Sequence, residues 1–142
     1  MGVRRRGREL ALQALYQREI TQNPEGPDGT FWAEADTMPE TEAFARELVA
    51  GVCEHGDRID ALISEAAEHW RLDRLARVDR CVLRLATYEI LARPEIPVSV
   101  TLNEAIEIAR AFGSDDSPAF VNGVLDRVAR ALGDEVQEED EP

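Results

Sequence analysis

The chain has 142 residues, 44% of them hydrophobic and 32% charged, with a formal net charge of −13. That length suits one domain able to bury a core without disulfides or metal. No apolar run of about 18 residues and no leader-like segment stands in it, which excludes a membrane-spanning or secreted reading in favour of a cytoplasmic protein.

The first element is an amphipathic helix from about Arg4 to Thr21, where Leu12, Tyr16 and Ile20 recur at i+4 beside Ala11 and Leu15. It carries the chain's one basic stretch. Arg4, Arg5, Arg6, Arg8 and Arg18 stand against Glu9 in residues 1–18, a local +4 that leaves −17 on the rest, and lysine is absent throughout. A basic arm on an acidic body points to one localised anionic partner. Because the arginines fan around the axis, at most two share a face, and a mobile arm that orders on binding is the expectation.

Pro24, Gly26, Pro27 and Gly29 then mark a break between Asn23 and Met38, with Phe31 and Trp32 in its middle to pin it onto the body. Thr37 and Glu40 form a capping box for a helix with Phe44, Leu48 and Val52 at i+4, stopped by Gly56. Asp57 opens another, carrying Ile59, Leu62, Ile63, Ala66 and Ala67 and running to about Trp70. Residues 71–78 read as a short connection.

The stretch from Asp79 to Leu91, "DRCVLRLATYEIL", is the predicted core helix: Cys81, Val82, Leu83, Leu85, Ala86, Ile90 and Leu91 point in nearly every direction around it. Arg84 and Glu89 lie five apart, about 140° around the axis, so each needs water or a partner from outside the helix. Pro94 and Pro97 end this element. Thr101 and Glu104 make a second capping box for a helix that closes at Gly113, and Asp116 or Ser117 caps a last helix with Pro118 in its first turn. That helix ends at Gly133, and Asn122-Gly123 inside it marks a close helix approach. Residues 134–142 hold six acids and no base and read as an acidic disordered tail beyond a domain of residues 1–133. The sum is an all-α bundle of six to seven helices.

Catalytic constellations are not apparent. Cys53 and His55, two apart on a helix, point away from each other; both cysteines read as small core residues of a reducing compartment. His55 and His69 lack metal-ligand spacing, and no phosphate-binding glycine loop follows a strand. Binding surfaces are better represented. The "RRRGR" arm can meet phosphates and stack on unpaired bases. Backbone N–H groups at Ser117 to Phe120 could meet a phosphate, although Asp115 and Asp116 oppose an anion there. Arg77, Arg80 and Arg84 fall within about 60° of one another, either as a solvated stripe paired with acids such as Asp73 or as an edge that meets a protein.

Four segments, "RRRGRELALQALYQ", "RVDRCVLRLATYEI", "IPVSVTLNEAIEIARAFG" and "DSPAFVNGVLDRV", together resemble the NusB family of bacterial transcription antitermination factors, in order and over nearly the whole chain. The resemblance implies a bundle of two three-helix halves acting without catalysis, cofactor or metal. It implies binding of the single-stranded boxA element of ribosomal RNA leaders together with ribosomal protein NusE, within an elongation complex of RNA polymerase and other Nus factors. Carried over by position, the RNA side is Arg4, Arg5, Arg6, Arg8 and Gln13, with Asp116, Ser117 and Phe120 at the last helix. The NusE side is Tyr16, Asp79, Arg80, Arg84, Tyr88 and Glu89. Pro118 and Ala119 stand where some relatives carry polar or basic residues, which shifts RNA affinity toward the arm. One rival reading is a homodimeric scaffold without direct RNA binding. Another is the NusB-like domain of certain ribosomal RNA cytosine methyltransferases, which requires a cofactor-binding module this sequence does not contain.

Overall fold

A computed structural model describes residues 2–24, 27 and 29–140, with side chains described as far as Gly133. The described residues form seven α-helices: α1 (Val3–Thr21), α2 (Gly29–Ala35), α3 (Pro39–Glu54), α4 (Gly56–Ala66), α5 (Arg77–Ala92), α6 (Val98–Phe112) and α7 (Ser117–Asp140). A 3₁₀ turn at Leu72–Arg74 links α4 to α5, and no strand is present among these residues.

The all-round apolar pattern of α5 puts it at the centre. It packs against α1, α3, α4, α6 and α7, and from Cys81 to Glu89 every residue but Arg84 is buried. Helix α1 runs antiparallel to it, since Arg8 pairs with Glu89 while Glu19 pairs with Arg80. Thr101 lies beside Glu89, so α6 starts at the same end of α5 as α1 does. Helices α1 to α3 form one half and α4 to α7 the other, with α5 touching both. None of the described helices is long and apolar enough to cross a membrane.

Glycine sets the closest approaches. A Cβ on Gly51 of α3 would lie 2.1 Å from the Tyr88 ring, and one on Gly7 of α1 would lie 2.6 Å from the Phe44 ring. Gly123, by contrast, faces open space, so Asn122-Gly123 marks no helix contact.

Several boundaries differ from the sequence reading. The break after α1 contains α2, whose Trp32 is buried, with the Phe31 ring edge-on at 5.0 Å and the Arg46 guanidinium 4.8 Å above the Trp32 ring centroid. Gly26 lies outside the described residues. Neither capping box forms. Helix α3 starts on Pro39, with Met38 as its N-cap and the Thr37 hydroxyl buried without a partner among the described residues; α6 starts at Val98 behind Pro97. In both cases a proline presets the helical entry, and at α6 Thr101 and Glu104 serve tertiary contacts instead. Gly56 opens α4 rather than closing α3, His55 being the junction. Helix α4 ends at Ala66, short of Trp70, where the Arg127 guanidinium donates to the Ala66 carbonyl at 2.9 Å. Backbone helix continues through Gly133 to Asp140, and residues 141 and 142 of the acidic segment lie outside the described residues.

Candidate nucleic-acid interface

The four arginines at positions 4, 5, 6 and 8 divide by direction. They belong to α1 from its first turn, so the arm is helical rather than an extension waiting to order. Arg8 turns inward, its guanidinium forking onto Glu89 with Nε and Nη2 at 2.9 and 2.7 Å from the carboxylate oxygens. Both side chains are almost wholly buried, at 4% and 1% exposure. Thr101 donates to the same carboxylate at 3.4 Å, and the Phe44 ring centroid lies 5.7 Å from the guanidinium. A charge taken out of water is tolerated only when it is paired and hydrogen-bonded in this way. Arg8 and Glu89 are therefore committed to each other, and neither is presented to an RNA or a protein.

Arg4, Arg5 and Arg6 stay at the surface. Arg5 forks onto Glu104 of α6 at 2.9 Å through both nitrogens, and Arg6 reaches Glu9 at 3.4 Å. The hydrogen bonds from Arg5 hold the Glu104 carboxyl below the usual carboxylate range. Gln13 is exposed two turns along, about 20° around the axis from Arg6, and so continues the same face.

The second cluster sits at the other end of α5, where Asp116, Ser117 and Phe120 begin α7. The ten residues from Asp79 to Glu89 put these two ends about 15 Å apart. Asp116 is exposed, while Ser117 is buried and its Oγ accepts from the Ser114 N–H at 3.0 Å. The half-buried Phe120 ring meets the edge of Trp70 at 6.2 Å. Of the amides from Ser117 to Phe120, those of Ser117 and Phe120 already donate to the carbonyls of Ser114 and Asp116, and Pro118 has no N–H, which leaves the helix start less to offer a phosphate. Trp70 and Arg74 join the cluster unforeseen. Their signal was legible in "WRLDRLARVDR", which sets one aromatic among four arginines.

The residues expected on the protein-partner side scatter. Arg80 forks onto Glu19 at 2.6 and 3.0 Å and donates to the Leu72 and Leu75 carbonyls; Arg84 forks onto Asp60 at 2.9 and 3.1 Å and also reaches Glu19. These pairs tie α1, α4 and the 3₁₀ turn to α5, whereas Asp73 pairs with Arg71. Tyr16 and Ile20 remain exposed on α1 beside Glu19, next to a groove of about 630 Å³ lined by Glu19, Ser64, Arg80 and Arg84. Tyr88 is a core residue, packed on Gly51 and stacked with His55. Asp79 turns away from Arg80 and Arg84 toward Phe120 and Asp116. Burial pushes the Cys81 thiol up to about 12, so it holds no ready thiolate. Among the described residues no group of three His, Cys, Asp or Glu side chains is placed to hold a metal ion.

Two clusters of charged and aromatic side chains therefore stand on the helical scaffold, one at each end of α5. The NusB family model matches residues 5–130. The chain belongs to the NusB family. It is 51% identical to the transcription antitermination protein NusB of Myxococcus xanthus over 137 residues, covering 93% of this chain and 98% of that one. The T. maritima NusB structure superposes with a TM-score of 0.80 at 43% identity, over 89% of this chain and 90% of that one. A structure of antitermination factors NusB and NusE in complex with dsRNA shares the fold, with a TM-score of 0.79 at 24% identity over 92% of this chain and 98% of that one. The NusB match begins at Arg5 and stops short of the acidic segment from Asp134.

Proposed function

We propose that the chain acts in the cytoplasm as a transcription antitermination factor that binds boxA-type single-stranded RNA together with ribosomal protein NusE and promotes read-through by RNA polymerase. Arg4, Arg5 and Arg6 meet phosphates, with Gln13 beside them, and Phe120 supplies a stacking face at the far end of the same path. NusE docks around Tyr16 and the rim formed by Arg80 and Arg84. The protein works by binding, and other Nus factors complete the elongation complex.

One observation carries this reading. Of four clustered arginines only Arg8 is spent on the core; Arg5 and Arg6 form surface bonds that a phosphate can replace, and Arg4 is exposed beside them. Relatives at about half identity over nearly the full chain bear the antitermination name and so support the same assignment. The test is a titration of boxA-type and scrambled RNA, each with and without NusE. Preference for boxA-type RNA, strengthened by NusE, is the expected result. Equal binding of both RNAs in both conditions overturns it, and a dimer that persists at saturating RNA favours a homodimeric scaffold instead.

A further inference from the structure

We propose that the cleft between Trp70, Phe120 and Asp79 is a subsite for one unpaired nucleobase and that it selects guanine over uracil. This rests on the RNA-binding reading and adds to it a residue that reads base identity.

Three independent features meet in the cleft. Trp70 keeps 60% of its surface exposed, although its neighbour Phe120 is packed against the core. An indole left in water beside a second ring is a platform on which a base stacks. The cleft holds about 230 Å³ and is lined by Trp70, Arg74, Leu75, Asp79, Asp116 and Phe120. That lies below the ~300 Å³ at which drug-sized sites begin and fits a single heterocycle. Finally, the Asp79 Oδ1 is shut off from solvent and accepts a hydrogen bond from no group among the described residues. A buried carboxylate oxygen without a donor is unfavourable and calls for one.

The chemistry of the lining chooses the base. A carboxylate only accepts, so it needs donors from the ligand. Guanine offers two adjacent ones, N1–H and the N2 amino group, in the parallel geometry a carboxylate takes. Its O6 and N7 are acceptors suited to an arginine, and Arg74 lies on the same cleft. Uracil has one donor, N3–H, flanked by two carbonyl oxygens that would face the Asp79 carboxylate. Asp79 lines the cleft, and a base that enters must also uncover its Oδ1, which is shut off from solvent in the free chain.

The test compares binding of three RNA dodecamers to the full chain: all-uridine, one with guanosine at every third position, and the same with inosine, which lacks the N2 amino group. The wild type prefers the guanosine RNA over all-uridine by at least about fivefold. Inosine loses part of that preference, and Asp79→Asn abolishes it while the unfolding midpoint holds. Trp70→Phe keeps the preference, and Trp70→Ala weakens both RNAs. An equal affinity for guanosine and uridine RNA, or a preference that Asp79→Asn and inosine both leave intact, overturns the subsite. A chain that binds boxA-type RNA and shows either result, or binds none of the three dodecamers, loses the subsite and retains its RNA-binding reading; failure to bind boxA-type RNA as well ends both.

Discussion

Arg5 and Arg8 stand three residues apart on α1, and each forks onto a glutamate from the other half of the sequence, yet the two pairs do different work. Arg8–Glu89 lies in the core, where there is no water to replace either partner. Arg5–Glu104 lies at the rim, with Arg5 at 44% side-chain exposure, where solvent screens the pair and the guanidinium can exchange one anion for another. The same chemistry is structural in one place and available for binding in the other. Burial, more than residue type, separates them.

Breaking the interior pair gives the largest effect. Glu89→Ala leaves Arg8 charged and unpartnered, and about 3–5 kcal/mol of stability is lost, read from denaturant unfolding. Replacing both partners, Arg8→Met with Glu89→Leu, restores most of that loss, because two apolar side chains demand no compensation.

The glycines repeat the contrast at lower energy. Gly51→Ala drives a methyl group into the Tyr88 ring and costs about 1–3 kcal/mol in the same experiment. Gly123→Ala sits in a helix interior with nothing within 4 Å and gains about 0.5–1 kcal/mol from the reduced entropy of the unfolded chain.

The rim pair gives the smallest effect and a distinct pH signature. Because Glu104 is held below its ordinary value of 4.5, its contribution to stability is complete above that value and is lost as the pH falls through the depressed folded value. A carboxyl-carbon NMR titration of Glu104 shows the low midpoint, and Arg5→Ala moves it back up.

Much of this architecture is legible in the residue order. The apolar positions around "DRCVLRLATYEIL" announce the central helix, and the 140° between Arg84 and Glu89 announces that each needs a partner from elsewhere. What the pattern cannot supply is who that partner is. Glu89 meets Arg8 across 81 residues of sequence, and Arg84 meets Glu19 across 65, distances over which periodicity carries no information. For the same reason Arg8 is indistinguishable from its exposed neighbours until α5 and α6 close over it. The two capping boxes mislead because proline at or before the first helical residue already sets the entry, freeing Glu104 for Arg5. The family resemblance groups Asp79 with Arg80, yet one residue of helix turns it about 100°, toward Trp70 and Phe120. Trp70 differs: its place among the arginines of "WRLDRLARVDR" is legible in the sequence, and its 60% exposure is what the structure adds.

The division between interior and rim arginines is tested most directly by the salt dependence of RNA binding in the wild type and in a chain with Arg4, Arg5 and Arg6 all changed to Ala. Each phosphate contact to a single strand contributes roughly 0.7 to the slope of log affinity against log salt. The variant is predicted to bind boxA-type RNA more weakly, with a slope flatter by up to about 2, while its unfolding midpoint stays near that of the wild type. An unchanged slope would remove the arginine face from the RNA site and contradict the account.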